Sequence, residues 1–219
     1  MLDAWYEARL AGLPRRFRVV QPYSLVSQFQ LLFLEELCRR LRVDAVPGDI
    51  VECGVYKGAS AGILGLQALE PPDRRLWLFD AFSGMPAPGE KDDAAAREII
   101  GGYVGSEANT HRILGRLGVP QDRYQLIAGW LADTLPSFSK PPIALLHIDT
   151  DFYDPVRLSL DQLYPHVSPG GYVVLNDYGV FEGCRRATDE FFAIHEPGVE
   201  VIPIDAIASY VRKPVPAAV

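Results

Sequence analysis

The order of apolar segments in this sequence of 219 residues predicts a doubly wound, mostly parallel α/β sheet with an antiparallel strand near the C-terminus. Strand-length apolar runs alternate with helix-length segments, which is the pattern of successive βαβ units. Such units cross over in a right-handed sense, so helices cover both faces of the sheet. The last two strand candidates have no helix between them, which predicts a closing antiparallel hairpin.

The individual elements follow from local patterns, beginning with apolar residues at helical spacing over residues 24–41 and Ser24 as candidate N-cap. The strands that we predict span residues 50–53, 75–79, 124–128, 143–148 and 172–175, with hairpin strands over 199–203 and 208–212. Further helices are predicted over residues 59–69, 156–164 and 183–195. Pro169-Gly170-Gly171 predicts a turn before the fifth strand.

The domain organisation is predicted from length and composition. The chain of 24.2 kDa is 48% hydrophobic, which suits one domain over residues 1–219. Residues 1–45 are expected to form an N-terminal helical cap. Residues 81–105 are rich in proline, glycine and charge, and they predict a lid loop with a short helix over residues 94–100.

Several classes of protein are disfavoured by composition. The net charge of -7 argues against a nucleic-acid partner, because phosphate contacts require a basic surface. The longest apolar runs have strand length, so no membrane partner is expected, and Asp3 and Glu7 argue against a signal peptide. Cys38, Cys53 and Cys184 lack metal-site spacing and cannot all pair, which favours a reducing, cytoplasmic location.

A glycine-containing turn follows the first strand, at the sheet edge where α/β proteins bind ligands. Gly54 would let a ligand approach the backbone, and Gly58 eases the turn into the next helix. Ser60 lies in the first helical turn, where amide groups and the helix dipole favour an anion such as an amino-acid carboxylate. Taken alone, this turn is also typical of dinucleotide enzymes and of folds in which glycine only makes a turn.

The second strand adds a carboxylate to this pocket. Asp80 ends that strand, where it can accept hydrogen bonds from the two hydroxyls of a ribose. The turn contains the bulky Tyr56 and lacks the three closely spaced glycines that cradle a pyrophosphate. S-adenosylmethionine has no pyrophosphate, so this turn suits it better than a dinucleotide.

Oxygen-bearing side chains follow two later strands. Asp149 ends one of them, and Asn176 with Asp177 follows the next. Adjacent parallel strands bring these three side chains together, and their oxygens are the ligands that Mg²⁺ prefers. Bound Mg²⁺ would lower the pKa of a substrate hydroxyl, and either Asp149 or His147 would then accept its proton.

Structural explanations compete with these assignments. Asp151 and Asp154, which precede Pro155, are good candidates to cap the following helix. His147 lies within an apolar strand, so a hydrogen-bonded core histidine explains it as well as a catalytic base does. Trp130 is a candidate to stack on adenine, although aromatic side chains are more often part of a core.

Four motifs in order resemble one known family. They are Glu52-Cys53-Gly54-Val55-Tyr56-Lys57-Gly58, Phe79-Asp80-Ala81-Phe82-Ser83-Gly84-Met85-Pro86, His147-Ile148-Asp149-Thr150-Asp151-Phe152-Tyr153, and Pro169-Gly170-Gly171 leading to Asn176-Asp177-Tyr178-Gly179. Over residues 24–192 the chain resembles the macrocin O-methyltransferase (TylF-type) family. The resemblance implies a Rossmann-like class I methyltransferase fold. It also implies methylation of hydroxyls on sugars or other parts of antibiotics, with S-adenosylmethionine and usually Mg²⁺.

The resemblance also implies roles for residues. In this interpretation Asp80 holds the ribose, and the turn that contains Glu52, Gly54, Tyr56 and Ser60 faces the methionine end of the donor. It further implies that Trp130 borders the adenine and that Ser24, with its neighbour Tyr23, closes over the donor.

The metal site departs from the family pattern. The resemblance assigns metal binding to Asp149 and Asp177, with Asp149 also the candidate base. The family usually shows two adjacent aspartates where this chain has Asn176 and Asp177. The amide oxygen of Asn176 still ligates Mg²⁺, but one negative charge is lost, so weaker metal binding is expected.

Two other functions remain open from sequence: a non-catalytic subunit that binds S-adenosylmethionine or a nucleoside, and an NAD(P)-dependent oxidoreductase. The expected partner is a hydroxylated small molecule, which the residues do not name. A homodimer is the oligomer to expect, because it is the commonest one.

Overall fold

The computed structural model describes residues 12–216, and the expectations for residues 1–9 and for the first part of the 1–45 cap lie outside that range. In the described range the strands are β1 Asp49–Cys53, β2 Leu76–Asp80, β3 Tyr124–Ala128, β4 Ile143–Ile148, β5 Val167–Leu175, β6 Ile202–Pro203 and β7 Ser209–Arg212. The helices are α1 Arg15–Val20, α2 Gln28–Val43, α3 Ala59–Gln67, α4 Glu107–Leu117, α5 Leu131–Thr134, α6 Tyr153–Leu163 and α7 Glu182–His195. Short 3-10 helices cover Gln21–Tyr23, Ala95–Ile99, Gln121–Arg123, Leu135–Ser137 and Tyr164–His166.

The strands form one sheet in the order β3-β2-β1-β4-β5-β7-β6. Strands β1 to β5 run parallel, and β7 is antiparallel to both of its neighbours. The predicted fold class, a doubly wound sheet with an antiparallel C-terminal strand, is therefore confirmed. The strand order reverses between β1 and β4, and the crevice at such a switch point is where ligands bind in this architecture.

Two apolar layers cover the faces of this sheet. One layer joins α2, α3 and α4 to the sheet through residues such as Leu31, Ile63 and Ile113. The other joins α6 and α7 to the opposite face through Leu160 and Phe191. Strand β4 is buried at every position because it lies in the middle of a sheet covered on both faces. No helix in the described range is long and apolar enough to cross a membrane.

The first predicted helix begins later than its sequence pattern indicated. Ser27 is the N-cap of α2: its hydroxyl accepts a hydrogen bond from the Gln30 amide at 3.1 Å, and the Gln30 side chain accepts one from the Ser27 amide at 2.9 Å. This reciprocal pair is a capping box. Ser24 as N-cap was therefore wrong, and its hydroxyl instead donates to the Val26 carbonyl at 2.7 Å.

Other boundaries differ for local reasons. The predicted turn Pro169-Gly170-Gly171 is part of β5. Helix α6 begins at Tyr153 and includes Pro155 in its first turn, where an amide hydrogen is not needed for the helix. Helix α4 was not predicted, although Ser106 caps its start and Gly118, with φ of 84°, ends it.

Candidate active site

A cavity of about 610 Å³ lies at the carboxyl ends of β1, β2, β4 and β5, where the strand order reverses. That volume is in the usual range for a small-molecule pocket, roughly 300–1,000 Å³. Of the candidate donor-binding residues, those that line it are Ser24, Gly54, Tyr56, Ser60, Asp80 and Trp130. Asp149, Asn176 and Asp177 also line it, so the sheet edge brings the nucleoside pocket and the proposed metal ligands into one space.

Asp80 organises the turn between β1 and α3. One oxygen of its carboxylate accepts hydrogen bonds from the amides of Val55 and Tyr56, both at 2.7 Å. The other oxygen accepts from the Phe82 amide at 2.6 Å. Tyr56 and Phe82 both have positive φ, of 51° and 53°, so these bonds hold backbone conformations that a non-glycine residue seldom adopts. Asp80 thus shapes the pocket wall as well as facing the cavity.

Gly54 is required for a reason that the sequence did not indicate. Its φ is 89°, and a Cβ atom there would lie 1.8 Å from the carbonyl oxygen of Asp149. The space next to Gly54 is therefore filled by the protein's own backbone, and the glycine lets the ends of β1 and β4 come together. Gly58, which was expected to ease the turn into this helix, has φ of 87° and is the N-cap of α3.

Three carboxyl groups meet at the ends of β4 and β5. Asp149, Asp151 and Asp177, here called the acidic triad, each offer an oxygen within 4.8 Å of the others. The Asn176 side-chain amide donates to Asp149 at 3.1 Å. One carboxylate oxygen of Asp177 is buried and has no hydrogen-bond partner among the described residues.

The acidic triad resists ionisation. Burial raises the pKa of Asp149 to about 6, and the charge of His147 opposes that rise in pKa while the charge of Asp151 adds to it. Burial raises the pKa of Asp177 well above its ordinary value, and the charges of Asp149 and Asp151 raise that pKa further. Burial also raises the pKa of Asp151. Three carboxyl groups so close together are therefore stabilised by a proton or a cation between them.

Asp151 belongs to this group and does not cap a helix, which corrects the structural explanation from sequence. The N-cap residue of α6 is Phe152, which makes no side-chain cap. Asp151 itself has φ of 59°, a conformation that follows the end of β4 and that places its carboxyl group in the cavity wall. The spacing Asp149-Thr150-Asp151 after a buried strand was the signal for this third acid.

Glu52 and His147 form a separate buried pair behind the cavity. They are register partners on β1 and β4, and the His147 Nδ1 atom lies 2.9 Å from a carboxylate oxygen of Glu52. Both side chains are fully buried, and neither lines the cavity. Burial alone would lower the pKa of His147, but the hydrogen bond and charge of Glu52 raise it above the ordinary value. The structure thus places these two candidates behind the cavity wall and not in it.

The loop over residues 81–105 contributes Ala81, Gly84, Met85, Pro86 and Tyr103 to the cavity lining. It is attached to α6 and α7 by three consecutive residues, Lys91, Asp92 and Asp93, here called the lid anchor.

Each residue of the lid anchor has a defined partner. Lys91 contacts the Tyr153 hydroxyl at 2.6 Å and Glu190 at 2.8 Å. Asp92 accepts a hydrogen bond from the Tyr153 amide at 2.7 Å, and Asp93 accepts one from the amide of Glu182 at 3.2 Å. The two aspartates therefore accept backbone hydrogen bonds at the starts of α6 and α7.

Comparisons with known proteins agree with this geometry. The macrocin-O-methyltransferase (TylF) family model matches residues 14–213. Demethyldecarbamoylnovobiocin O-methyltransferase of Streptomyces niveus is 34% identical over 172 residues, which are 75% of this chain and 66% of that protein. This chain therefore spans just under two thirds of that relative's length.

A second relative is 8-demethyl-8-(2,3-dimethoxy-alpha-L-rhamnosyl)-tetracenomycin-C 4'-O-methyltransferase of Streptomyces olivaceus. It is 31% identical over 189 residues, which are 82% of this chain and 72% of that protein. Among solved structures, the O-methyltransferase NovP has a TM-score of 0.79 and 28% sequence identity, covering 88% of this chain and 83% of that one.

Proposed function

Because this chain belongs to the macrocin-O-methyltransferase (TylF) family, we propose that it is an S-adenosylmethionine-dependent O-methyltransferase. In this proposal it methylates a hydroxyl of a small natural product with the help of Mg²⁺. The hydroxyl belongs to a sugar or to another part of that acceptor. The observation that carries the proposal is the acidic triad, which lies in the same cavity as Asp80 and its turn. The relatives named above are O-methyltransferases for demethyldecarbamoylnovobiocin and a rhamnosyl-bearing tetracenomycin, which supports this acceptor class.

For the donor, we propose that Asp80 binds the ribose and that Ser60, in the first turn of α3, faces the carboxylate of the methionine end. A carboxylate offers about four lone-pair directions, so Asp80 can accept a ribose hydrogen bond beyond the three that it accepts from the backbone. In this proposal Trp130 borders the adenine, and Ser24 lies against the donor from the side of α2.

For the metal, the residues present fit Mg²⁺. They offer only oxygen donors, and the unpartnered Asp177 oxygen and the raised pKa values of the acidic triad are what a cation would relieve. Asp149, Asn176 and Asp177 would hold the ion, which when bound supplies Lewis-acid activation of the acceptor hydroxyl. Because Asn176 is neutral, we expect weaker affinity than a site with an aspartate there.

For the chemistry, we propose that Asp149 accepts the proton of the acceptor hydroxyl. Its carboxyl group lines the cavity, where it can reach a hydroxyl held beside the donor. As the proton leaves, the hydroxyl oxygen bonds to the methyl carbon and the carbon–sulfur bond breaks, which converts the sulfonium to a neutral sulfide. His147 does not reach the cavity, so we propose that it acts through Asp149, whose pKa its charge lowers.

The organisation of the protein is part of this proposal. We propose one domain over residues 1–219, with residues 1–45 as a cap and residues 81–105 as a lid over the cavity. We further propose a cytoplasmic enzyme that forms a homodimer and has no nucleic-acid or membrane partner.

The donor pocket can be tested by calorimetry with S-adenosylhomocysteine. We expect Asp80→Ala to lower affinity by about 100-fold or more, because it removes the ribose contact and the hydrogen bonds that hold the turn. Asp122→Ala, an exposed change outside the cavity, is the matched control and should bind like the parent. Unchanged affinity in folded Asp80→Ala protein would mean that the pocket assignment is wrong.

Two further measurements test the metal and the competing functions. Turnover with a panel of hydroxylated glycosides should stop with EDTA and return with Mg²⁺; turnover indifferent to chelation would remove the metal from the proposal. S-adenosylhomocysteine should raise the melting temperature and NAD(P) should not. Tight donor binding without turnover on any acceptor would instead favour a non-catalytic subunit.

A further inference from the structure

The cavity at the carboxyl ends of the strands has a one-sided charge. Among the described residues that line it, none is lysine, arginine or histidine, whereas five carry carboxyl groups. These are Asp80, Asp149, Asp151, Asp154 and Asp177. A divalent cation at the acidic triad would offset at most two of these negative charges, so the cavity attracts a further cation.

The partners of these carboxyl groups are neutral or missing. Asp80 accepts hydrogen bonds from backbone amides, and Asp149 accepts one from the neutral side chain of Asn176. One oxygen of Asp177 is buried and has no hydrogen-bond partner among the described residues. The negative charge of the cavity is therefore not balanced by the side chains that form it.

Asp154 is the member of this set that no other role absorbs. It lies in the first turn of α6 and is exposed. In the part of the chain that the structure describes, no hydrogen bond or ion pair engages its carboxylate. His147, behind the cavity wall, already has Glu52 as its partner, so it is not a counter-charge for Asp154.

The cavity is small enough for these charges to act throughout it. Its volume of about 610 Å³ is that of a sphere about 10 Å across, which is no more than the screening length of salt at 0.1 M, about 10 Å. A cleft lined by charges of one sign also concentrates their field. A positive charge held anywhere in this cavity is therefore stabilised by the carboxyl groups.

The methyl donor and its product differ in charge at one atom. S-adenosylmethionine carries a positive sulfonium, whereas the sulfur of S-adenosylhomocysteine is a neutral sulfide. The adenine, the ribose and the amino-acid end are the same in both molecules, so their contacts contribute equally to both affinities. The ratio of the two affinities therefore reports mainly on the charge that surrounds the sulfur.

We propose, resting on the proposed function, that the carboxyl groups of this cavity select the cationic donor over its neutral product, and that Asp154 is one residue that sets this preference. In methyl transfer the electron pair of the carbon–sulfur bond stays on sulfur, so the positive charge disappears, while the hydroxyl proton passes to a carboxylate of this chain. The attraction that held the donor is then lost. S-adenosylhomocysteine leaves readily and inhibits weakly.

Calorimetry on the full chain with Mg²⁺ tests the proposal with three ligands. They are S-adenosylmethionine, S-adenosylhomocysteine and sinefungin, in which a carbon bearing an ammonium group replaces the sulfonium. We expect S-adenosylmethionine to bind about tenfold more tightly than S-adenosylhomocysteine, and sinefungin to follow the cationic donor. S-adenosylhomocysteine that binds as tightly as S-adenosylmethionine would overturn the inference. Sinefungin that binds as weakly as S-adenosylhomocysteine would also overturn it, because charge would then not be the cause.

Removal of one charge localises the effect. Asp154→Asn should lower the affinity ratio of S-adenosylmethionine to S-adenosylhomocysteine by about threefold, through weaker binding of the donor, and leave the affinity for S-adenosylhomocysteine within about twofold. Asp122→Asn makes the same change at an exposed residue that does not line the cavity, and it should leave the ratio unchanged. Equal effects in both variants would show that net charge, and not the cavity, causes the preference.

The outcomes of these measurements distinguish this inference from the proposed function. Binding of none of the three ligands would overturn the donor pocket and this inference together. Tight binding of S-adenosylhomocysteine without a preference for the cationic ligands would overturn this inference alone and leave the donor pocket in place.

Discussion

Two groups of acidic side chains lie on neighbouring parts of this molecule and differ in what balances their charge. The acidic triad is largely buried at the ends of β4 and β5, and no lysine or arginine is paired with it among the described residues. The carboxylates at the lid anchor have nearby partners: Asp92 and Asp93 accept backbone amides at helix starts, and Glu190 pairs with Lys91.

The pKa values of the two groups move in opposite directions. Burial and mutual repulsion raise the pKa of Asp177 and that of Asp149. Hydrogen bonds from Lys91, Tyr153 and Arg186 lower the pKa of Glu190 to about 2. Negative charge that is balanced within the chain fixes a loop in place, whereas unbalanced buried charge lowers stability and persists where a ligand compensates it. From this difference we propose a structural role for the lid anchor and a role in metal binding or proton transfer for the acidic triad.

The largest predicted effect is the loss of turnover in the Asp177→Asn variant. The variant keeps the shape of the side chain but removes a charge, so turnover should fall by about 100-fold as Mg²⁺ binding is lost. The metal-free variant should melt no lower than the parent, because repulsion with Asp149 and Asp151 is relieved. Turnover assays and thermal melts in EDTA measure both. A large drop in melting temperature together with full activity would mean that Asp177 has a structural role and does not bind the metal.

Asp92→Ala should lower the melting temperature and leave Mg²⁺ affinity almost unchanged, which is the reverse of the pattern expected for Asp177→Asn. It removes the acceptor for the Tyr153 amide at the start of α6, which costs about 1 kcal/mol in comparable helix caps. For a chain of this length that corresponds to a fall of about 2–4 °C in melting temperature.

Mg²⁺ affinity of the Asp92→Ala protein should stay within about twofold of the parent, because Asp92 does not touch the acidic triad. Asp133→Ala, on an exposed aspartate, serves as control for the melts. An unchanged melting temperature in Asp92→Ala would mean that the lid anchor does not stabilise the helix start.

The pH dependence of the stability of the metal-free protein further distinguishes the acidic triad from Glu190 at the lid anchor. A carboxyl group whose folded pKa is raised contributes stability that is present below its unfolded pKa and lost as pH rises through the folded value. For Asp149 that window runs from 3.8 to about 6. Glu190 has the opposite sign: its contribution is present above 4.5 and is lost as pH falls towards about 2. His147, whose folded pKa is raised above 6.5, adds to the trend of Asp149.

Between about pH 7.5 and pH 5, Asp149 therefore takes up a proton while the Glu190 ion pair does not titrate. The melting temperature in EDTA should rise by about 2 °C on acidification over this range, and less in Asp177→Asn. A fall in melting temperature over the same range in both proteins would contradict the raised pKa values.

The sequence predicted the sheet and the strand ends better than it predicted contacts between distant residues. Asp80, Asp149 and Asp177 all line the cavity, because parallel strands present their carboxyl ends at one edge, while their roles there stay predictions. The position of the Asp151 carboxyl group depends on a positive φ after β4, so the spacing Asp149-Thr150-Asp151 signalled a third acid but not its place in the cavity wall. The pairing of Glu52 with His147 depends on the register of β1 against β4, which long-range packing sets.

The smallest effect is expected at Glu190→Gln. The side chains of the Lys91–Glu190 pair are 40% and 36% exposed, and ion pairs that water and salt can reach contribute little. The melting temperature should change by less than about 1 °C, and added salt should remove even that difference. Asp161→Asn, which removes an exposed ion-pair partner on α6, is the control. A larger fall in melting temperature in Glu190→Gln than in this control would show that the lid anchor depends on the charge of Glu190 and not on backbone capping by Asp92 and Asp93.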